Sequence, residues 1–252
     1  MRCRTLMRIA TIILHYGNPK LTEKVYRALC EKTSQSDIVE SSIFVFDNAS
    51  QVPYPNAWKR SSSNLYWAGA LSYCFLLVKE MGFTHLWFLN NDITFIGNGS
   101  YLAKAYASIQ RIERATGKLV GIWSPSLMYN SYHPQMCNRK DFSYSQVKLI
   151  DGVAALYNLT CLDSIGGIDA LDNLYGYGVD LWISIRSDRK GWLLVVDHSM
   201  VIRHIQHGSA KNIKGFIETA AFSEEVFFRK RLGIEWKQQI ESMKEQYSSF
   251  TF

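Results

Sequence analysis

Three short polar clusters end apolar runs of the sequence and carry the side chains best suited to chemistry. They are His15-Tyr16, Asp47-Asn48 and Asn90-Asn91-Asp92. The ring of Tyr16 can stack on a nucleobase, and the Asp47 carboxylate can accept a hydrogen bond from a pyrimidine imide. Asp92 supplies hard oxygen atoms suited to a divalent cation that bridges two phosphates. Each cluster alone is more typical of a turn that ends a strand, whereas together they raise the hypothesis of a nucleotide site.

The elements that would position these clusters alternate between strand and helix patterns. Strand patterns cover 8–14, 42–46, 84–89 and 119–123, and helix patterns cover 20–29, 67–81 and 101–115. Asn18-Pro19 supplies a helix N-cap followed by a proline at the first helical position. The alternation predicts an α/β fold with a mostly parallel central sheet flanked by helices. Ligands of such sheets bind beyond the carboxyl ends of the strands, where the three clusters would meet.

The second half of the chain is less regular. We predict a long loop over 126–142, a strand over 147–156 that carries Asp151-Gly152, a helix over 159–165, a helix over 179–190 and a strand over 192–196. From residue 216 onward, mixed charges on a helical pattern predict a helical tail. The sequence contains no internal repeat and no flexible linker, so a single domain is the simplest interpretation.

The charge balance argues against a nucleic-acid partner. The 252 residues include 28 Lys and Arg against 22 Asp and Glu, a formal net charge of +6. The basic residues are spread along the chain, whereas nucleic-acid binders concentrate them in a run or on one helix face. The surplus is typical of an ordinary solvated surface. A phosphate-bearing substrate or an anionic membrane face is the next interpretation.

The cysteines and the N-terminus both predict a cytoplasmic protein. The five cysteines are odd in number and form no C-x-x-C pair, which favours buried thiols over disulfides or a zinc site. Arg2, Arg4 and Arg8 ahead of 9–14 imitate a signal peptide, but the apolar run is short and no small-residue cleavage site follows. We interpret the run as a buried strand. No segment has the length that spanning a bilayer requires.

The polar clusters belong to a larger ordered set of motifs. In chain order the set is Ile12 to Tyr16, Val45 to Ser50, Asn64 to Gly69, Leu89 to Asp92, Gly166 to Asp169, Tyr177 to Leu181, and His204 followed by Gly208-Ser209. In order and approximate spacing this set resembles the family 2 glycosyltransferases, which have the GT-A (Rossmann-like) fold. No single motif is specific, and the resemblance rests on the ordered set over about 9–209.

The resemblance implies an inverting, nucleotide-sugar-dependent glycosyltransferase. It divides the chain into a domain over 1–210, with a nucleotide-binding half (8–118) and an acceptor half (119–210), and a helical C-terminal tail (211–252) packed on it. The implied donor-binding residues are His15, Tyr16, Asp47, Asn48, Asn64, Asn90, Asn91 and Asp92. Tyr66 departs from the family, where a glycine is common, and so affects the shape of the donor pocket.

The resemblance also implies a divalent metal. Asp92 matches the last position of the D-x-D element, which here is Asn90-Asn91-Asp92 and keeps one carboxylate. His204 matches a late metal-ligand position, with His207 as a competitor. An imidazole beside a carboxylate suits Mn²⁺ better than Mg²⁺, although either ion is compatible with the family.

The catalytic base is expected to be a carboxylate. The family presents an acidic pair and then x-Asp, and the matching stretch here is Tyr177-Gly178-Val179-Asp180, so that Asp180 is the one acidic residue left. A carboxylate in the first turn of a helix is equally explained by the helix dipole. Asp151 is the alternative, either as the base or as a ligand of donor-sugar hydroxyls.

Tyrosines in the second half are candidates for binding an acceptor. Tyr175 and Tyr177 flank Gly176 in a loop, and sugar rings present apolar C–H faces that can stack on such side chains. By contrast, Trp67, Trp87, Trp123 and Tyr157 lie in or beside predicted strands and helices, where core packing is the better interpretation.

The expected reaction moves a hexose, an acetamido-hexose or a deoxyhexose such as rhamnose from a UDP or dTDP donor. The acceptor is expected to be a saccharide or a lipid-linked saccharide in surface polysaccharide synthesis, such as lipopolysaccharide or capsule. Peripheral contact with the inner face of the cytoplasmic membrane fits this role. Two alternatives stay open: a sugar-nucleotide nucleotidyltransferase and a catalytically silent module that binds nucleotide sugars.

Overall fold

The computed structural model describes residues 7–30, 40–205 and 215–252. In these ranges the helices are α1 (Pro19–Cys30), α2 (Tyr66–Glu80), α3 (Tyr101–Thr116), α4 (Leu159–Ser164), α5 (Val179–Arg189), α6 (Phe216–Leu232) and α7 (Trp236–Glu245). The strands are β1 (Arg8–His15), β2 (Glu40–Asp47), β3 (Lys59–Arg60), β4 (His85–Asn90), β5 (Ile93–Ile96), β6 (Val120–Leu127), β7 (Tyr144–Gln146), β8 (Leu156–Asn158), β9 (Leu193–His204) and β10 (Ser248–Phe250).

The centre of the sheet is the parallel group formed by β1 between β2 and β4. All residues of β1 after Arg8 are buried, because helices cover both faces of this group. A strand that is buried on both faces needs a mostly apolar sequence, which β1 has. His15 pairs with Asp47 on one side, and Leu14 pairs with Asn90 on the other. The three polar clusters therefore lie side by side at one edge of the sheet, as the sequence predicts.

The described strands form one sheet in the order β10-β7-β9-β6-β8-β4-β1-β2-β3, and β5 pairs with β9. Its longest pairings, β1 with β2, β1 with β4 and β6 with β9, are parallel. The short strands β5, β7, β8 and β10 pair antiparallel. The sheet is thus mixed and largely parallel, which confirms the predicted α/β class.

Aromatic side chains fill the core between the sheet and its helices. Trp87, Trp123 and Tyr157 are fully buried, and the rings of Trp87 and Trp123 meet edge to face at 5.8 Å. This packing agrees with their interpretation as core residues. Trp67 differs, because it is only partly buried and lines a cavity.

The strand predicted over 147–156 is wrong. The chain leaves the sheet after Gln146, forms a 3-10 turn at Gly152–Ala154 and returns in β8. The backbone N–H of Gly152 donates to Asp180 and that of Val153 donates to Asp151, so side chains satisfy groups that a strand would pair. Two other boundaries shift: β6 extends to Leu127 into the predicted loop, and β9 continues to His204.

The C-terminal tail contains the predicted helices and one strand that the sequence pattern did not predict. After α6 and α7, strand β10 pairs antiparallel with β7 at the edge of the sheet. The boundary near residue 210 lies outside the described residues. Among the described cysteines, Cys74 and Cys161 are buried as predicted, whereas Cys30 is exposed. In the described ranges, no helix combines the length and hydropathy needed to cross a bilayer.

Candidate functional site

A cavity of about 770 Å³ opens at the carboxyl edge of β1 and β4. Among the residues predicted as functional, its lining contains Tyr16, Asn48, Asn64, Asn90, Asn91, Asp92, Asp151, Tyr175, Tyr177, Asp180 and His204. These residues come from both halves of the chain. The fold therefore brings the predicted donor, metal, catalytic and acceptor residues to one place.

His15 and Asp47 do not line this cavity, contrary to the expectation of donor contacts. His15 is fully buried, with Nδ1 2.7 Å from Thr22 Oγ1 and Nε2 2.8 Å from the Val52 carbonyl. Asp47 is also fully buried, accepts hydrogen bonds from the N–H groups of Ser50 and Tyr54, and forms an ion pair with Arg60. Both side chains hold the loop after β2 in place and thereby shape the cavity from behind.

Two asparagines fix the start of α2 at the cavity wall. Asn48 Nδ2 donates to Asn64 Oδ1 at 2.9 Å, and Asn48 Oδ1 accepts from the Leu65 N–H at 2.8 Å. Asn64 Oδ1 also accepts from the Tyr66 N–H at 2.8 Å. This arrangement holds Tyr66 at a φ of 52°, a left-handed conformation that is strained for a large side chain. A strained backbone conformation persists only where surrounding contacts hold it in place, and such positions are common at functional sites.

The strained turn contributes one ring of an aromatic wall, made of Tyr66, Tyr175, Tyr177 and Phe216. Tyr66 meets Tyr175 edge to face at 5.2 Å and stacks on Phe216 at 6.1 Å. Tyr177 meets Phe216 at 6.2 Å. All four rings line the cavity, and together they join α2, the 175–178 loop and α6.

Asp92 and His204 meet because β5 pairs with the end of β9. His204 lies opposite Ile93, and the Ile205 N–H donates to the Asp92 carbonyl at 3.0 Å. His204 Nε2 is 3.3 Å from Asp92 Oδ1. Burial lowers the pKa of His204, but the neighbouring Asp92 carboxylate outweighs burial and raises it overall.

The oxygen atoms at this corner fit a divalent cation. Asn90 Oδ1 is buried and has no hydrogen-bond partner among the residues described, and the buried Asp92 Oδ1 lies 3.3 Å from His204 Nε2. Buried oxygens without partners are costly, and a cation would satisfy them. Within the described ranges, no group of three or more His, Cys, Asp or Glu side chains could hold a metal. A bound ion would thus need further ligands from a diphosphate, and His207 lies outside the described residues.

Asp151 and Asp180 lie together in the cavity lining, on either side of the Gly152 backbone. Asp180 accepts hydrogen bonds from the Gly152 N–H at 2.8 Å and the Leu181 N–H at 2.9 Å. Asp151 accepts from Asn130 Nδ2 at 2.8 Å. Burial, followed by the charge of Asp151, raises the pKa of Asp180 to about 7.

Gly152 allows the loop that carries Asp151 to approach α2 closely. A Cβ atom at position 152 would overlap the indole ring of Trp67, so only a glycine fits between Asp151 and that ring. Trp67 therefore packs against the core on one side, where it meets Phe88, and lines the cavity on the other.

Several residues of the site were missed by the sequence analysis. Loop residues Asn130 and His133 and tail residues Glu224, Trp236, Lys237, Glu241 and Lys244 line the same cavity. Helix α7 packs on the 3-10 turn at Pro134–Met136, which closes the cavity on that side. Trp236, Ile240 and Met243 lie at positions i, i+4 and i+7 and predict a buried face of α7. Nothing in the local sequence marks Glu224 as a cavity residue.

The fold defines a class of protein by its likeness to solved structures. GalNAc-T7 with UDP, GalNAc and Mn²⁺ matches with a TM-score of 0.61 and 12% sequence identity, over 92% of this chain and 49% of that chain. The mannosyltransferase PcManGT from Pyrobaculum calidifontis, in complex with GDP-Man and Mn²⁺, matches with a TM-score of 0.56 and 14% identity, over 80% of this chain and 58% of that chain. The chain therefore has a GT-A-like fold.

Sequence relatives are distant. Curated proteins named as uncharacterized in Mycobacterium bovis and Mycobacterium tuberculosis are 26% identical over 175 residues, which cover 66% of this chain and 64% of theirs. The aligned region thus spans less than two thirds of these relatives, and the chain spans about half the length of the solved structures. No model of a protein family matches the chain.

Proposed function

We propose that the protein is an inverting, metal-dependent glycosyltransferase that uses a nucleotide-sugar donor. The observation that carries this proposal is the corner at Asp92, at the carboxyl edge of the sheet. There the buried Asn90 Oδ1 has no hydrogen-bond partner among the described residues, and the buried Asp92 Oδ1 lies beside the His204 imidazole. In α/β folds this edge binds phosphorylated nucleotides. The likeness in fold to proteins solved with UDP or GDP-Man supports the same class of donor.

The donor would lie along the β1 and β4 edge. Tyr16 offers a ring for the base, and Asn48 and Asn64 hold the wall beside the nucleoside. From the resemblance we propose a UDP or dTDP donor that carries a hexose, an acetamido-hexose or a rhamnose-like deoxyhexose. Asp47, with both carboxylate oxygens engaged, would support the base pocket from behind.

Asp92, His204 and the Asn90 side-chain oxygen would hold the metal. A bound Mn²⁺ or Mg²⁺ would neutralise the charge that develops on the leaving diphosphate. An imidazole in the ligand set favours Mn²⁺. Both solved structures with this fold were determined with Mn²⁺.

The acceptor would enter against the aromatic wall. Tyr175 and Tyr177 offer ring faces for a sugar, and the tail helices close the other side. The resemblance supports a saccharide or lipid-linked saccharide acceptor and a role in surface polysaccharide synthesis at the inner face of the cytoplasmic membrane. The carboxylates Asp151 and Asp180 line the same cavity as this wall and the Asp92 corner.

Release of nucleoside diphosphate tests the proposal. The full chain is incubated with UDP-glucose, UDP-N-acetylglucosamine, dTDP-rhamnose or GDP-mannose, with and without Mn²⁺, and the diphosphate is measured. We expect release that depends on the ion with at least one donor. Pyrophosphate release from a nucleoside triphosphate and a sugar phosphate would indicate a nucleotidyltransferase instead. Calorimetric donor binding without any release would indicate a silent binding module.

A further inference from the structure

Glu224 of α6 reaches into the cavity at the start of α5. A Cβ atom added to Gly178 would lie 2.9 Å from Glu224 Oε1, so the carboxylate sits directly over the backbone of that residue. Gly178 has a φ of 76°, and a side chain there would also overlap the ring of Phe228. The space beside Gly178 is therefore kept for the Glu224 carboxylate.

The carboxylates of Asp180, Asp151 and Glu224 differ in the number of hydrogen bonds that they accept. Both oxygens of Asp180 accept backbone N–H groups, and both oxygens of Asp151 accept from Asn130 and Val153. The Glu224 carboxylate has no hydrogen-bond or ion-pair partner within the described part of the chain. A general base must be within reach of the substrate proton and free to accept it. Glu224 meets the second requirement better than either aspartate.

The Glu224 carboxylate lines the same cavity as Asp180, Tyr177 and the Asp92 corner. Burial raises the pKa of both Asp180 and Tyr177, and the negative charge of Glu224 adds to the rise at each. Lys244 and Lys237 of α7 line the same cavity, and their positive charges act on Glu224. Burial raises the pKa of Glu224 and these two lysines oppose the rise, so its titration lies closer to neutral pH than that of an exposed glutamate.

We propose that Glu224 is the general base that accepts the proton of the attacking hydroxyl. The proposal rests on the glycosyltransferase function proposed above. In the step, the hydroxyl oxygen bonds to the anomeric carbon as the bond from that carbon to the diphosphate oxygen breaks. The electron pair leaves on the diphosphate, and the hydroxyl proton moves to Glu224 and then to solvent. Asp180 acts as a positioning residue that holds the Gly152 loop.

The experiment compares E224Q with E225Q, a matched change on the same helix outside the cavity. The probe is the nucleotide sugar that the wild-type chain hydrolyses fastest, with Mn²⁺ and with water as the attacking hydroxyl. We expect E224Q to lower the rate of diphosphate release by about 10²- to 10⁴-fold, the usual range for loss of a general base. UDP binding in the presence of Mn²⁺ should be unchanged or tighter. E225Q should stay within about twofold of wild type, because exposed ion pairs contribute little.

A pH profile separates a base from a structural role. The wild-type rate should rise with pH as Glu224 ionises among Asp180, Tyr177, Lys237 and Lys244, and this rise should disappear in E224Q. D180N should be slower but keep the rise. An E224Q variant with wild-type turnover, or one that loses UDP binding together with turnover, would overturn the assignment. A wild-type chain that releases no diphosphate from any donor would instead refute the proposed function itself.

Discussion

His204 Nε2 lies 3.3 Å from Asp92 Oδ1, across the antiparallel pair of β5 and β9. The two residues are far apart in the sequence, and the long strand β9 carries the histidine back to the end of β4. The contact joins the first half of the chain to the second half at one corner of the cavity. The proposed metal site lies at that corner.

Removing the carboxylate at this corner should remove metal-dependent binding. Asp92→Ala takes away the buried oxygen proposed as a metal ligand, so we expect the gain in UDP affinity on adding Mn²⁺ to fall by at least about tenfold, or about 1.4 kcal/mol. Calorimetric titration of UDP with and without Mn²⁺ measures this gain. Asp141→Ala, at an exposed site outside the cavity lining, is the control. An unchanged gain in the Asp92 variant would remove this residue from the metal site.

Asp180 should make stability depend on pH. Burial and Asp151 raise its folded-state pKa to about 7, well above its usual value of 3.8, so the folded state binds more protons than the unfolded state between these values. The contribution of Asp180 to the free energy of unfolding therefore decreases as pH rises from about 4 to 7. Asp180→Asn removes this dependence, so its stability relative to wild type should increase with pH across that window.

Denaturant unfolding of both proteins at several pH values measures the difference. The asparagine variant also loses part of the hydrogen bonding to Gly152 and Leu181. This loss lowers the unfolding free energy of the variant by the same amount at every pH, so it does not change how the difference from wild type varies with pH. If the difference in unfolding free energy between the two proteins does not change between the usual pKa of Asp180 and its raised pKa, the raised pKa is contradicted.

Position 66 should prefer glycine to alanine. Tyr66 has a φ of 52°. In this left-handed conformation a residue with a Cβ atom destabilises the folded state by about 1–2 kcal/mol, and glycine does not. Tyr66→Gly should therefore be more stable than Tyr66→Ala by about 1 kcal/mol, although alanine is normally the better residue at a helix start. Both variants lack the ring, so the comparison isolates the backbone. If urea unfolding ranks alanine above glycine, the left-handed turn is wrong.

Asp47 should matter for stability more than for nucleotide binding. Its buried carboxylate accepts two backbone N–H groups and pairs with Arg60, so Asp47→Ala should cost about 3 kcal/mol of unfolding free energy. UDP affinity, measured at a temperature where the variant is folded, should change much less than in the Asp92 variant. A large loss of UDP affinity with little loss of stability would indicate instead that Asp47 contacts the base directly.

The sequence predicts the first half of the fold well because the signals there are local. Buried strands such as β1 are continuous β-branched runs, and Asn18-Pro19 marks the start of α1 without reference to the rest of the chain. The polar clusters follow from these strands, since parallel strands end at one edge. The direction of individual side chains is harder to predict: His15 and Tyr16 are adjacent, yet one is buried behind the cavity and the other lines it.

The second half depends on contacts that no local pattern encodes. The 147–156 segment has the composition of a strand, but Asp180 and Asp151 take up its backbone N–H groups and turn it out of the sheet. Glu224 reaches the cavity only because α6 packs beside Gly178, and β10 joins the sheet only because the tail returns to β7. These long-range contacts are set by tertiary packing, which overrides the local preference of each segment.

The most direct test of the glycosyltransferase proposal is the release of nucleoside diphosphate from nucleotide sugars by the full chain, with and without Mn²⁺. We predict release that requires the ion and falls strongly in the Asp92→Ala and His204→Ala variants, while Asp141→Ala behaves as wild type. Absence of release with every UDP-, dTDP- and GDP-linked sugar tested, or release at equal rates in all of these variants, would contradict it.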